Sequence, residues 1–278
     1  MSNEIEEDVR QQFAKSKADF KEALEYAIQI SNGMHGSQAD AIGMVIYDLF
    51  TRNISAGLTF ELLIRPPQWT NFKAMPSNFS IWDYSSLCII ARAMLETCIS
   101  LFYFAEQICQ EQREFRKLWW DWHGLHKRCL IAKKAGINPV KFASFAESAS
   151  KLQNKIQNHS CFQLINPKLR QRFLDGSEVH DALVDDNREI AKRAGIHESQ
   201  YDCITRDLSQ HVHCRPFALS SLRVIKGATD EDFDHLHVVV QYATSFLLLT
   251  ASGFLSLFPE GRRFTDQRFG FLEGAGLR

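Results

Sequence analysis

Proline is sparse, 7 in 278 residues, and no stretch alternates apolar and polar residues with period two. The second absence argues against half-buried strands and leaves a helical reading. Cysteine is present without pattern: seven, at 88, 98, 109, 129, 161, 203 and 214, and no CxxC pair. That excludes a zinc-ribbon or thioredoxin-type motif and a disulfide framework. We therefore expect reduced, mostly buried thiols in a cytoplasmic protein. Asn-x-Ser/Thr triplets at Asn53, Asn78 and Asn158 are then chance matches. An excess of one charge is also missing, since 32 basic residues face 33 acidic ones for a net charge of −1. The balance gives no global electrostatic reason to expect nucleic acid or an anionic membrane as partner, and leaves room only for a local basic patch. The opening MSNEIEEDVR is acidic and polar, unlike a secretory signal or transit peptide.

What is present is helical periodicity. Phe13, Phe20, Leu24, Ala27 and Ile28 mark an amphipathic helix over 4–31, with Asn32-Gly33 as its stop. Ser37 with Asp40 has the spacing of a capping box and opens a second helix to about Ile64, ended by Arg65-Pro66-Pro67. A loop rich in Pro, Asn and Trp leads to a third helix, about Ile81 to Gln110, apolar nearly all round. The next, Glu111 to Ala135, carries Trp119, Trp120 and Trp122, read as core, with Gly136 as its cap. Further helices follow from Pro139 to Asn158, Glu178 to Ala194 and Glu198 to His213, and Thr229 and Asp232 cap a last one to Phe258. Val238–Phe258 carries no charge and is long enough to cross a bilayer. Six Gln, Thr and Ser side chains within it favour a buried core helix instead. IAKKAGIN (131–138) and IAKRAGIH (190–197) echo each other, which a shared helix–glycine–restart chemistry explains. The expectation is an all-α bundle of about eight helices in one domain over 1–278. Its N-terminal helices span about 4–64, its core about 79–258, and a loose tail about 259–278.

One stretch, Tyr201 to Pro216 (YDCITRDLSQHVHCRP), concentrates the chemistry. On a helix, Tyr201, Ile204, Leu208 and Val212 form the core stripe, while Arg206, Ser209 and His213 form a second. His211 lies on neither. A histidine beside a permanent cation suits acid–base work on an anionic substrate, whereas the same stripe could equally be a solvated face. Arg92 and Glu96, four apart on the buried third helix, mark either a functional pocket or a structural ion pair. His123 and His126, three apart, could join Glu96 and His211 or His213 around a metal. No Glu-x-x-His or HExxH supports that, so neither a metal nor a cofactor is expected.

Arg92-Ala-Met-Leu-Glu96, Gly195-Ile196 before Tyr201, and Leu208-Ser209 with His213 resemble a bacterial all-helical family of unknown function over roughly 85–255. Arg206-Asp207 followed by His211 or His213 resembles the Arg-x4-6-His motif of the HEPN superfamily. That resemblance implies a metal-independent ribonuclease, with the histidine moving the 2′-hydroxyl proton and the arginine steadying the phosphate. Helical geometry favours His213 as partner of Arg206. The chain departs from the superfamily at Cys214-Arg215-Pro216, which ends the helix where a long one usually continues.

The combined expectation is a polar site of His213, Arg206 and Ser209 as catalytic groups, with Arg92, Glu96, His126 and Tyr201 binding substrate. RNA is the expected partner, no membrane is expected, and the resemblance implies a homodimer. A non-enzymatic protein whose polar cluster is structural and a metal-dependent hydrolase stand as the alternatives.

Overall fold

The computed structural model describes residues 2–65, 83–175, 179, 183–213 and 230–265. Among them are nine α-helices, three short 3-10 helices and no strand, so the chain is all-α. In order these are α1 (Ser2–Gly33), α2 (Ala41–Leu63), α3 (Tyr84–Ala105), α4 (Gln110–Lys134), α5 (Ala143–Gln157), α6 (Pro167–Leu174), α7 (Asn187–Arg193), α8 (Glu198–Val212) and α9 (Asp230–Leu257). The extra helix against the expected eight is α6. Its start was written as Asn166-Pro167: the Asn side chain accepts from Lys168 N–H at 2.9 Å, and Pro occupies the first turn. Thr229 and the 259–278 tail beyond 265 lie outside the described residues.

Contacts divide the chain into two compact units, 1–105 with 191–278, and 106–190. The helix pattern in the sequence carries no mark of this division.

In the first unit α3 packs against α2, α8 and α9, and α9 against α1, α2 and α3. Cys88, Ala91, Met94, Leu95 and Cys98 of α3 are buried, as its nearly continuous apolar sequence demands. By length and hydropathy α3 and the 232–257 stretch of α9 would both suit a membrane span. Within the unit most of each apolar window is buried, and α9 presents Ala243, Phe246, Leu247 and Phe254 to the core. Thr250 belongs to that core too: it accepts the side-chain amide of Asn53 on α2 at 2.5 Å and donates to the Phe246 carbonyl. The Asn53 amide nitrogen and the Thr250 hydroxyl each find a partner in this core, whereas Asn53 Oδ1 has none among the described residues. At the head of α2, the cap is Asp40 itself, whose carboxylate accepts from Gly43 N–H at 2.6 Å. A short acceptor at the N-cap is what satisfies the first-turn amides, and Asp40 supplies it one residue before the helix.

The second unit is built on α4, α5 and α6 around Phe115, Trp119, Trp122, Phe162 and Phe173. Trp119 stacks on Phe173 with centroids 5.2 Å apart and meets Trp122 at 5.3 Å. Arg116, only 8% exposed, ion-pairs with Glu106 at 2.9 Å and Asp185 at 2.7 Å. A guanidinium so deep needs such double pairing, and here it ties the two ends of the unit together.

The repeated IAK(K/R)AGI phrase is a single capping device used twice. Ile137 N–H reaches the Ala132 carbonyl at 3.0 Å and Gly136 N–H that of Lys133 at 3.2 Å; Ile196 and Gly195 bond Ala191 and Lys192 in the same way. This is the Schellman pattern, which requires a left-handed residue after the helix, and Gly136 has φ +67°. Gly136→Ala should destabilise the protein by about 1 kcal/mol. Gly124→Ala, inside α4 with open space around the added methyl, should instead stabilise it by a similar amount. Opposite shifts of the denaturant midpoint check the pair; shifts of one sign would refute the assignment.

Candidate functional site

Helix α8 begins with a capping box. His197 Nδ1 accepts from Ser199 N–H at 3.3 Å, and Gln200 Oε1 accepts from the His197 backbone N–H at 3.4 Å. This fixes which residues face inward. The buried stripe is Tyr201, Ile204, Leu208 and His211, with Val212 42% exposed and only His211 1% exposed. The expected stripe ended at Val212. His211 and Val212 lie on opposite flanks of that stripe, and the packing against α3 takes the His211 flank inward.

There His211 meets two other helices of the same unit. Its Nδ1 lies 3.1 Å from Ser85 Oγ at the start of α3. Tyr84 stands edge-on to the imidazole, centroids 5.0 Å apart at 86°, and also approaches His235 of α9 at 5.9 Å. One turn before His211, Asp207 is half-buried. His211 Nε2 is buried without a hydrogen-bond partner among the described residues. Leaving a buried nitrogen without a bond costs about 1–3 kcal/mol, so its place in the core calls for a reason.

Burial sets the electrostatics. It pushes the Asp207 carboxyl above the ordinary carboxylate range, an effect His211 and His235 partly oppose. It pulls His211 below the ordinary imidazole value, against the pull of Asp207 and with a small push from His235. His211 is therefore neutral at pH 7. The Tyr84 phenol and the Cys88 thiol beside it are raised by burial and stay protonated, as does Tyr242 of α9. The opposite shifts bring the carboxyl and imidazole values toward each other, one helical turn apart on α8.

Asp207 also reaches outward. With Ser199, Asp202, Cys203, Arg206 and Gln210 it lines an open depression of about 630 Å³ along α8. The exposed Arg206 thus shares a surface with the carboxyl that adjoins the buried histidine. An anion held there would lie beside a group able to take or give a proton.

The other expected residues sit as follows. His213 is exposed at the C-cap of α8, its N–H bonded to the Ser209 carbonyl at 3.2 Å, and Ser209 is half-buried. Tyr201 is buried on the core face. Arg92 Nε donates to Glu96 Oε1 at 2.8 Å; the Arg92 side chain is 17% exposed and that of Glu96 61%, so the pair runs from the packed side of α3 out to solvent. Arg92 Nη1 is buried with no partner among the described residues. His126 belongs to the second unit, stacked on Trp122 with centroids 4.9 Å apart. Among the described residues no group of three or more His, Cys, Asp and Glu side chains is placed to hold a metal ion. The residues that sequence reasoning did not single out are Asp207, Ser85, Tyr84 and His235. Only Asp207 had a signal, as the polar residue after the arginine.

Comparison with known protein families, curated proteins and solved structures finds no match for this chain. The functional reading therefore rests on the site's own geometry.

Proposed function

We propose that the first unit carries an acid–base site in which Arg206 holds a phosphodiester, Asp207 takes the proton of the neighbouring 2′-hydroxyl, and His211, one turn on, sets the electrostatics of Asp207 from behind. The observation that carries this is the position of Asp207, which lines the Arg206 depression on one side and lies one helical turn from the buried His211 on the other. RNA supplies the chemistry such a pair can drive without a metal. The 2′-hydroxyl proton passes to Asp207, the 2′-oxygen bonds to phosphorus, and the bond to the 5′-oxygen breaks as that oxygen takes a proton from water, Asp207 returning its own proton to solvent. The products are a 2′,3′-cyclic phosphate and a 5′-hydroxyl. Both His211 and His213 satisfy the Arg-x4-6-His spacing; burial beside Asp207 and Ser85 supports His211.

The test is cleavage of a mixed-sequence RNA by purified protein with and without a chelator. Chelator-resistant cleavage is expected. Arg206→Ala should lower kcat/KM about tenfold or more by removing a phosphate contact, while His213→Ala leaves it within about twofold. Inert wild-type protein would overturn the reading. Equal losses in His213→Ala would move the chemistry to the helix end. A second reading, a purely structural network, is favoured by the near-complete burial of His211. It predicts no cleavage and large stability losses on changing the cluster.

A further inference from the structure

The bend between α4 and α5 in the second unit combines two features that a globular surface normally keeps apart. From Lys127 to Ala146 the chain carries Lys127, Arg128, Lys133, Lys134 and Lys141 and no Asp or Glu. Over the same stretch Ile131 is 65% exposed, Ile137 43%, Val140 81% and Phe145 40%. One exposed aliphatic side chain means nothing. Four within fifteen residues, at the bend of a helical hairpin and in a stretch whose charged residues are all basic, call for an explanation.

The fold makes the tip stiff. The glycine cap at Gly136 turns the chain, Asn138 accepts from Val140 N–H at 3.0 Å, and Pro139–Phe142 forms a 3-10 turn with no buried residue. Across the hairpin the Arg128 guanidinium lies 5.8 Å from the Phe145 ring centre. The apolar side chains are thus presented by short-range bonds rather than left on a loose loop.

We infer that this tip docks on an anionic lipid surface, with Ile131, Val140 and Ile137 entering the headgroup boundary and the surrounding lysines meeting lipid phosphates. Charge complementarity selects the sign of the partner, and the aliphatic tip selects its kind. A bilayer accepts branched aliphatics and rewards nearby cations. Single-stranded nucleic acid is instead held by open aromatic faces; of the two phenylalanines here, Phe142 is half-buried and the exposed Phe145 already faces Arg128. The inference is independent of the acid–base site, which lies in the other unit.

Cosedimentation of the full chain with phosphatidylcholine vesicles, plain or containing a third phosphatidylserine, tests it at physiological salt. Binding is expected to the mixed vesicles only. Lys133→Ala with Lys134→Ala should weaken partitioning about fivefold per lysine. Ile131→Asp with Val140→Asp should weaken it at least tenfold, because aspartates in the headgroup boundary lose the apolar burial. All four positions are exposed, so thermal melts of the variants should match wild type, separating docking from folding. Failure to bind mixed vesicles overturns the inference. So does binding that survives Ile131→Asp with Val140→Asp. Retention on RNA that needs the lysines but not Ile131 and Val140 would assign the patch to nucleic acid and equally overturn it.

Discussion

Asp207→Asn should abolish most RNA cleavage, by 10² to 10⁴-fold, and at the same time raise the melting temperature at pH 7. The two effects have one source. Burial holds the folded-state carboxyl above its unfolded value. Between those two values the folded chain binds more protons than the unfolded one, so stability falls as pH rises through the window. Above the window that loss is complete, and the neutral amide of Asn escapes it. Below about pH 4 both states are protonated in the wild type, and the gain from Asn should vanish. His211 works in the opposite direction. Its folded value is depressed, so the unfolded chain binds the extra proton below about pH 6.5, and stability is lost as pH falls from there. The part of the stability that His211 contributes should therefore be lost on acidification below about pH 6.5, and His211→Gln should remove that part of the pH dependence. A group that costs stability while it sits in place is the signature of a site kept for chemistry. A structural network predicts the reverse: Asp207→Asn would lower the melting temperature at pH 7, and that result would sink the acid–base reading even if some cleavage were seen.

Local rules explain which parts of this architecture could be read from sequence. The glycine after α4, the prolines past α2 and the unbroken apolar run of α3 each act within a few residues, so they mark helix limits without knowledge of the partner helices. The core stripe of α8 could be followed as far as Leu208. Past that point, three or four residues to the next inward position cannot be decided from α8 alone, because the neighbouring helices fix it. Choosing four placed Val212 inside and passed over His211; α3 and α9, distant in sequence, make it three. The same limit hid Ser85, Tyr84 and His235, ordinary residues of apolar helices until α8 lies across them. Arg116 shows it again. Nothing in EFRKLWW distinguishes it from its neighbours, and its role appears only when Asp185 arrives from 69 residues away.

Trp119→Ala should cost about 3–5 kcal/mol, the largest stability effect expected anywhere in the second unit. The side chain is fully buried and touches Phe115, Trp122 and Phe173, so its removal opens a cavity lined by rigid rings that cannot collapse into it. A domain's whole stability is about 5–15 kcal/mol, and a unit this small sits toward the lower end. The variant's second unit should hence be partly unfolded near body temperature. The first unit has a core of its own, in which Phe20 meets Phe60 and Phe50 stacks on Phe254. Hydrogen exchange should thus show protection lost over 106–190 and kept over α1, α3 and α9. RNA cleavage, resting on Asp207 and His211 of the first unit, should survive in Trp119→Ala while vesicle binding by the α4–α5 bend is lost. Protection lost evenly through all helices would mean that the two units unfold as one cooperative body. Cleavage lost along with the second unit's protection would mean that the site at Asp207 depends on more of the chain than the residues described around it.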